Sequence, residues 1–212
     1  MTKIYITETN KITEASLKTA LDILPQWRRE YVCKQKSLSD RINGAFSYLL
    51  LQKLTADEFG VADTAPFTYG EHGKPRFSSS EIKFSISHCR NAVAAAVSEH
   101  EIGVDIIDKR LIAEKLALRI CSDEELRLFN SSKDKQFFLC RLWCEKESLA
   151  KLDGSGFAKG FKVYDTIKKG ADFFTDRDNC MLALSGKNVK DPELTEIPWE
   201  ALIHSFSQAP YS

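Results

Sequence analysis

The segment Arg141-Leu-Trp-Cys-Glu-Lys-Glu-Ser-Leu-Ala-Lys151, which continues into Leu152-Asp-Gly-Ser-Gly-Phe157, encodes the most informative helix of the chain. At about 100° per residue, one face of this helix collects the apolar residues Leu139, Leu142, Trp143, Leu149 and Ala150. Glu147 falls at the edge of that face, and Lys151 lies one turn further along. The pattern predicts a packed helix, from about Lys135 to Leu152, that holds a carboxylate and an ammonium at its rim and ends in a Gly-Ser-Gly turn.

Lys146 is the unusual residue of this helix, because the same angles place it in the middle of the apolar face. A lysine rarely occupies such a position without a partner, and we expect Lys146 to reach either a carboxylate, with Glu125 as the candidate, or a ligand. In a simpler interpretation the helix is an ordinary amphipathic one, and Glu147 and Lys151 form an i,i+4 pair worth only about 0.2–0.5 kcal/mol. The helix alone does not choose between a structural and a functional role.

Composition indicates a folded chain without a bulk charge. Of its 212 residues 43% are hydrophobic, and 30 basic side chains balance 30 acidic ones. We therefore expect neither nucleic acid nor a membrane as a partner, and an anionic ligand would need a local basic cluster. The apolar runs are far shorter than the roughly 20 residues of a membrane span, and the N-terminus lacks the apolar core of a secretory signal. Together with cysteines that form no CxxC pair, these features predict a cytoplasmic protein with reduced thiols.

Short periodic segments predict an α+β fold. Helices are expected from Thr13 to Leu24 and, after a cap at Ser39-Asp40, through Leu54. Three successive strands separated by short turns predict an antiparallel meander; they are Phe84 to His88, Ala92 to Val97 and Ile102 to Ile107. Towards the C-terminus we expect further strands at Phe161 to Tyr164, Ala171 to Phe174 and Cys180 to Leu184, and a polar tail around Pro192 and Pro198.

A short internal repeat indicates how these elements are arranged. Arg90-Asn-Ala-Val-Ala-Ala-Ala-Val-Ser98 and Asp178-Asn-Cys-Met-Leu-Ala-Leu-Ser185 are similar strands entered by Asn, and each follows a strong apolar helix. Either chance or the duplication of a helix-and-sheet unit would produce this pattern. Under duplication we expect two similar α/β lobes in a pseudo-twofold arrangement, residues 1–101 and 102–212, each a small antiparallel sheet packed on a long helix.

Asp105 is the most conspicuous polar residue of the predicted strands, since it interrupts the apolar segment Ile102-Gly-Val-Asp-Ile-Ile107. A buried carboxylate is costly unless it is hydrogen-bonded to the backbone or holds a cation. Its position alone leaves both roles open.

Three other polar segments are candidates for ligand binding or for local structure. Basic and aromatic residues alternate between Trp27 and Arg41, where they either bind phosphate groups or form a solvated helix face. Gly73-Lys-Pro75 predicts a fixed turn that brings backbone groups and an ammonium close to a flat ligand. Ser122-Asp-Glu-Glu125 has the spacing of a capping box.

Several of these motifs occur in a specific order, namely Gly73-Lys-Pro75, Phe84-Ser-Ile-Ser-His88, Gly103-Val-Asp105, Ser122-x-x-Glu125 and Trp143-x-x-Lys-Glu-x-x-x-Lys151. This set, from about residue 24 to residue 161, resembles the 4'-phosphopantetheinyl transferases of the Sfp type. The resemblance implies two facing α/β lobes with coenzyme A and Mg²⁺ in the cleft between them. It also implies transfer of the phosphopantetheine arm to a serine of an acyl, peptidyl or aryl carrier protein, with release of 3',5'-ADP.

The resemblance further implies a role for each candidate residue. Asp105 and Glu147 would hold Mg²⁺, one from each lobe, and Lys151 would contact the pyrophosphate and stabilise the leaving group. Ser87 and His88 would bind phosphate oxygens as well. The remaining roles fall to residues of the N-terminal half: the adenine pocket would be lined by Gly73, Lys74 and Pro75, and the 3'-phosphate would be bound by Arg28, Arg29, Lys36 and Arg41.

One position departs from the family pattern. Many members carry a second acid two residues after the aspartate of the strand, on the same face, and here this position is Ile107. We therefore expect weaker metal affinity, and the serine would be activated by Glu147, by Glu125 or by a water molecule on the metal. Asp108 points the other way in a regular strand, although a bulge could turn it inward.

Two competing hypotheses accompany this interpretation. A homologue that binds coenzyme A or a carrier protein without transferring the arm would explain Ile107, and a metal-dependent phosphohydrolase could use Asp105 and Glu147. No motif specifies which carrier protein is modified. A monomer would suffice, because one chain supplies both lobes.

Overall fold

The computed structural model describes residues 2–61, 64–109 and 112–207. Its strands are β1 (Lys3–Glu8), β2 (Thr68–Tyr69), β3 (Pro75–Arg76), β4 (Lys83–His88), β5 (Ala92–Ser98), β6 (Ile102–Asp108), β7 (Phe173–Asp176), β8 (Cys180–Gly186) and β9 (Glu193–Glu196). Its helices are α1 (Glu14–Ile23), α2 (Gln26–Cys33), α3 (Leu38–Phe59), α4 (Ala117–Ile120), α5 (Asp123–Ser131), α6 (Lys135–Asp153) and α7 (Trp199–Ser207). No helix of this described part is long and apolar enough to cross a membrane.

The strands form two main sheets and a short hairpin. The first sheet has the order β4-β5-β1-β9, the second has the order β6-β8-β7, and β2 pairs with β3. In the first sheet β5 lies between its hairpin partner β4 and the earlier strand β1. In the second sheet β8 lies between its hairpin partner β7 and the earlier strand β6. Both central strands are antiparallel to their two neighbours. A long helix precedes each hairpin, so the order strand, helix, hairpin occurs twice. This topology confirms the α+β class and is compatible with a duplicated unit.

Three expectations about the strands were wrong. β6 does not extend the β4-β5 hairpin into a meander, because it leaves that sheet and pairs with β8. The segment predicted as a strand at Phe161 forms a 3₁₀ turn, Phe161–Val163. The expected polar tail instead contains β9, which pairs in parallel with β1, and α7, which buries Leu202 and Phe206. Residues 193–207 therefore return to the first sheet. The division into lobes at residue 101 stays a prediction.

The layers follow the order helix, sheet, sheet, helix. One face of β5, including Val93 and Ala95, packs with α3 in the first core. The opposite face, including Ala94, packs with Val104 and Leu184 of the second sheet. The other face of the second sheet packs with α6. Because both faces of β5 are buried, its sequence is a continuous run of small apolar residues instead of an alternating one.

The two long helices have well-defined ends. Ser37 caps α3, two residues before the predicted cap at Ser39-Asp40, by accepting a hydrogen bond from the backbone N–H of Asp40. Asp134 caps α6, and Gly154 ends it in the left-handed region with φ of 80°. These caps confirm the predicted extent of α6 to within a residue.

Gly103 allows α6 to approach β6 closely. A Cβ atom at this position would lie 2.2 Å from the carbonyl oxygen of Ser148 and 2.3 Å from the backbone N of Leu152. Any larger residue would therefore collide with helix backbone, which explains the glycine of the Gly103-Val-Asp105 motif. The approach brings Asp105 of β6 beside the last two turns of α6.

Candidate active site

A cavity of about 640 Å³ lies between the two halves of the chain. The C-terminal half contributes Asp105 from β6 together with Glu147 and Lys151 from α6. With a division at residue 101, both expected metal ligands therefore lie in the same half, and not one in each lobe as expected. Several other predicted site residues, all of the N-terminal half, also line it; they are Arg28, Gly73, Pro75, Ser87 and His88. The structure thus collects most of the candidate residues around one space.

Two serines of β4 connect the sheets beside this cavity. The hydroxyl of Ser85 accepts a hydrogen bond from the backbone N–H of Val104 at 3.0 Å, and that of Ser87 accepts one from Ile106 at 3.3 Å. Ser87 also donates to Oδ1 of Asp105 at 2.8 Å. The alternating Ser-Ile-Ser pattern therefore satisfies the open edge of β6 with side chains, and it positions Asp105.

Asp105 is buried and only half satisfied. Its Oδ1 accepts from Ser87 and from Nζ of Lys151, the latter at 2.7 Å. Its Oδ2 is buried without a hydrogen-bond partner among the described residues. A buried carboxylate oxygen without a partner is costly, and a bound cation would satisfy it.

Glu147, on helix α6 beside Asp105, also favours a bound cation at this position. Burial and the negative charge of Asp105 raise the pKa of Glu147 to about 7, while Lys151 acts in the opposite direction. No hydrogen bond from a described residue holds this carboxyl. Two neighbouring carboxyls whose repulsion raises a pKa are a suitable ligand pair for Mg²⁺, which needs few protein ligands besides phosphate and water.

Position 107, two residues after Asp105 on β6, carries an isoleucine instead of an acid. Ile107 lines the cavity and packs with the α6 core. Within residues 2–61, 64–109 and 112–207, no group of three or more His, Cys, Asp or Glu side chains is arranged to hold a metal. The residues present therefore fit a cation with two protein carboxylates and no third.

Arg28 marks the end of the cavity on the N-terminal side. Its side chain is buried, donates to the carbonyl of Gly44 at 2.7 Å, and has an Nε without a partner among the described residues. Its guanidinium lies 4.7 Å from the ring centre of Tyr31. Burial lowers the pKa of Arg28, and no carboxylate is among the groups that oppose this shift. A buried arginine without an acidic partner is a natural anion site.

His88 completes the basic lining of the cavity. Burial, followed by the positive charge of Lys151, lowers the pKa of His88, whereas Asp40 and Asp105 raise it. At neutral pH the imidazole can therefore bind a phosphate oxygen through an N–H without carrying a full positive charge.

The remaining predicted residues do not line the cavity. Arg29 is exposed and donates to backbone carbonyls of Asp22 and Leu24 at the end of α1. Lys36 is exposed and Arg41 half-buried, and neither belongs to the lining. Lys74 is used structurally, since its Nζ lies 2.8 Å from Glu101 and 2.9 Å from the carbonyl of Ile102.

Glu125 is also absent from the cavity lining. It completes the predicted capping box of α5 and forms an ion pair with Lys146, with Oε2 and Nζ 2.8 Å apart. The predicted partnership of Lys146 with Glu125 is therefore confirmed by the geometry.

Several lining residues were not predicted. Asn43 and Ser47 project from α3, Tyr31 follows Arg28 on α2, and Trp143 forms part of the wall on α6. A signal for the α3 residues exists in the sequence: Asp40, Asn43 and Ser47 are spaced as one helical stripe on an otherwise apolar helix.

Comparison with known proteins agrees with this geometry. The sequence model of the 4'-phosphopantetheinyl transferase superfamily matches residues 101–186, a range that includes Asp105, Glu147 and Lys151. The holo-[acyl-carrier-protein] synthase of Hydrogenovibrio crunogenus is 30% identical over 96 residues, which cover 42% of this chain and 72% of that protein. The chain belongs to the 4'-phosphopantetheinyl transferase superfamily.

Other relatives within the 4'-phosphopantetheinyl transferase superfamily carry similar names. The 4'-phosphopantetheinyl transferase gsp of Aneurinibacillus migulanus is 28% identical over 161 residues, which cover 74% of this chain and 63% of that protein. The 4'-phosphopantetheinyl transferase ffp of Bacillus subtilis is 35% identical over 95 residues, or 43% of this chain and 42% of that protein. These matches confirm the resemblance drawn from the ordered motifs. The chain spans less than two thirds of the length of both transferases.

Proposed function

We propose that this protein transfers the 4'-phosphopantetheine arm of coenzyme A to a serine of an apo carrier protein of the acyl, peptidyl or aryl class. The observation that carries the proposal is the convergence of Asp105, Glu147 and Lys151 in a cavity that also contains His88 and the buried Arg28. In the reaction the serine hydroxyl forms a new P–O bond to the phosphorus that bears the pantetheine. The bond from this phosphorus to the bridging oxygen breaks, 3',5'-ADP leaves, and the serine proton passes to a base.

Each side chain has a role in this reaction that follows from its place in the cavity. Asp105 and Glu147 would hold Mg²⁺, which when bound neutralises pyrophosphate oxygens and aligns the displacement. Lys151 and His88 would bind further phosphate oxygens, and charge developing on the leaving group would be stabilised by the Lys151 ammonium. Arg28 would bind the 3'-phosphate, while Gly73 and Pro75 would face the adenine.

Glu147 is the best-placed protein group to accept the serine proton. It lines the cavity and has no hydrogen bond from a described residue. A carboxylate has two oxygens, so one can face the cation while the other accepts the proton. Glu125 lacks this access because it is fully buried.

We also propose that the protein acts as a monomer in the cytoplasm, with residues 1–101 and 102–212 as its two lobes. One chain supplies both walls of the cavity, and all six cysteines are free thiols, as expected in a reducing compartment.

The test is a transfer assay with purified apo carrier proteins, coenzyme A and Mg²⁺. We expect the carrier to gain the mass of one phosphopantetheinyl group, and the Asp105→Ala and Glu147→Ala variants to lose this activity while circular dichroism shows an intact fold. Glu124→Gln, an exposed acid of α5, is the matched control and should remain as active as wild type. Near-normal turnover of either site variant would refute the assignment.

The same assay separates the competing hypotheses. Ile107 favours a protein that binds without transferring, which would leave every apo carrier unmodified although coenzyme A binds. Release of phosphopantetheine to water without a carrier would instead indicate a phosphohydrolase.

A further inference from the structure

A fully buried ion pair lies outside the cavity. Lys146 and Glu125 are both 0% exposed, and their charged atoms are 2.8 Å apart. Such a pair contributes little net stability when compared with apolar residues of the same volume, yet breaking it by removing one partner is strongly destabilising. Net stability therefore does not explain why the chain buries this pair.

The carboxylate of Glu125 is saturated with donors. Oε2 accepts from the backbone N–H of Ser122 at 2.7 Å as well as from Lys146. Oε1 accepts from the backbone N–H of Thr166 at 2.8 Å and from its hydroxyl at 2.9 Å. Neither oxygen is left open, so a serine hydroxyl has no route to this group as a proton acceptor.

The ammonium of Lys146 holds the segment that follows α6. Its Nζ donates to the carbonyl oxygens of Phe161 and Tyr164, at 3.3 and 2.5 Å. The same segment packs on Trp143, whose ring centre lies 5.1 Å from that of Phe161 and 6.1 Å from that of Phe157. Trp143 in turn forms part of the cavity wall. A continuous chain of contacts thus runs from the ion pair to the cavity.

We propose that Glu125 and Lys146 are positioning residues of the transferase site, and that their ion pair fixes the segment from Phe157 to Thr166 against Trp143 on the cavity wall. Loss of either charge would leave the other buried without a partner and would release the segment from α5 or from α6. Trp143 and the adjoining turn of α6, which carries Glu147, would then lose their support. This inference rests on the proposed transferase function.

The test compares Glu125→Gln, Lys146→Met and the double variant in the carrier assay. We expect each single variant to lower kcat/KM at least about tenfold, because misplacement by about 1 Å can cost about 100-fold. The double variant should stay as impaired as the single variants, because neither partner then holds the segment even though no unpaired buried charge remains. The matched control is Lys159→Met, which removes an exposed ion pair with Asp153 on the same segment and should stay within about twofold of wild type.

The pH profile of kcat/KM separates positioning from proton transfer. On this proposal Glu125→Gln keeps the acidic limb of the profile at its wild-type midpoint. Disappearance of that limb, or a double variant that regains wild-type activity, would overturn the proposal. If wild type modifies no apo carrier, the proposed function itself fails, which is a distinguishable result.

Discussion

Replacement of Gly103 by alanine tests the close contact on which the cavity depends. The added Cβ would lie 2.2 Å from the carbonyl oxygen of Ser148 and 2.3 Å from the backbone N of Leu152. A Cβ atom normally stays more than about 3 Å from backbone atoms of another element, so β6 and α6 must separate by about 1 Å. Both colliding atoms belong to helix backbone and have no rotamer by which to move away. Asp105 would consequently move away from Glu147 and Lys151.

The expected cost is at least the upper end of the overpacking range, about 3 kcal/mol. For a chain of this size that corresponds to a fall in Tm of about 6–12 °C, and the displacement should lower transfer to a carrier protein by about 100-fold. Calorimetry and the carrier assay measure the two effects. Gly70→Ala is the control, because the nearest atom to its new Cβ is 3.8 Å away, and it should change Tm by no more than about 2 °C. A Gly103→Ala variant with the Tm and activity of wild type would refute the reasoning.

The other predictions concern the ligands of the cavity. Arg28→Met should raise KM for coenzyme A at least about tenfold but leave KM for dephospho-coenzyme A unchanged, since only the former carries the 3'-phosphate; equal effects on both would exclude Arg28 from that role. Ile107→Glu should lower the Mg²⁺ concentration needed for half-maximal transfer, and an unchanged titration would show that this position does not limit metal binding. The Glu147 carboxyl is half-buried with a pKa raised to about 7 from 4.5, so the metal-free protein should lose stability as pH rises through this interval. Mg²⁺ should therefore raise Tm more at pH 8 than at pH 5.5, and equal shifts would contradict its binding to the ionised carboxyl.

The residues on α6 were predictable because a helix has a fixed period. The spacing from Trp143 to Lys151 places Glu147 and Lys151 on adjoining turns wherever the helix lies in the fold. The same period placed Lys146 in the apolar face and therefore required a partner, and the capping-box glutamate supplied one. Local geometry was sufficient for both conclusions.

The basic cluster shows where local reasoning fails. Arg28 and Arg29 are neighbours in sequence, yet only Arg28 lines the cavity, while Arg29 bonds to the end of α1. Adjacent residues on a helix point about 100° apart, so the orientation of α2 decides which one faces the cavity. That orientation depends on packing against α3, including the bond from Arg28 to Gly44, and the spacing of the basic residues does not reveal it.

Local sequence patterns also did not predict that β6 pairs with β8 instead of extending the β4-β5 hairpin. This pairing bears directly on how the site is formed. β6 pairs with β8 and not with β4 or β5. Instead the hydroxyls of Ser85 and Ser87 bond to the N–H groups of Val104 and Ile106. Side chains can join two sheets at an angle that backbone pairing would not allow. The cavity is therefore a consequence of replacing one backbone ladder by two serines, and Ser87 has the further effect of holding Asp105 in position.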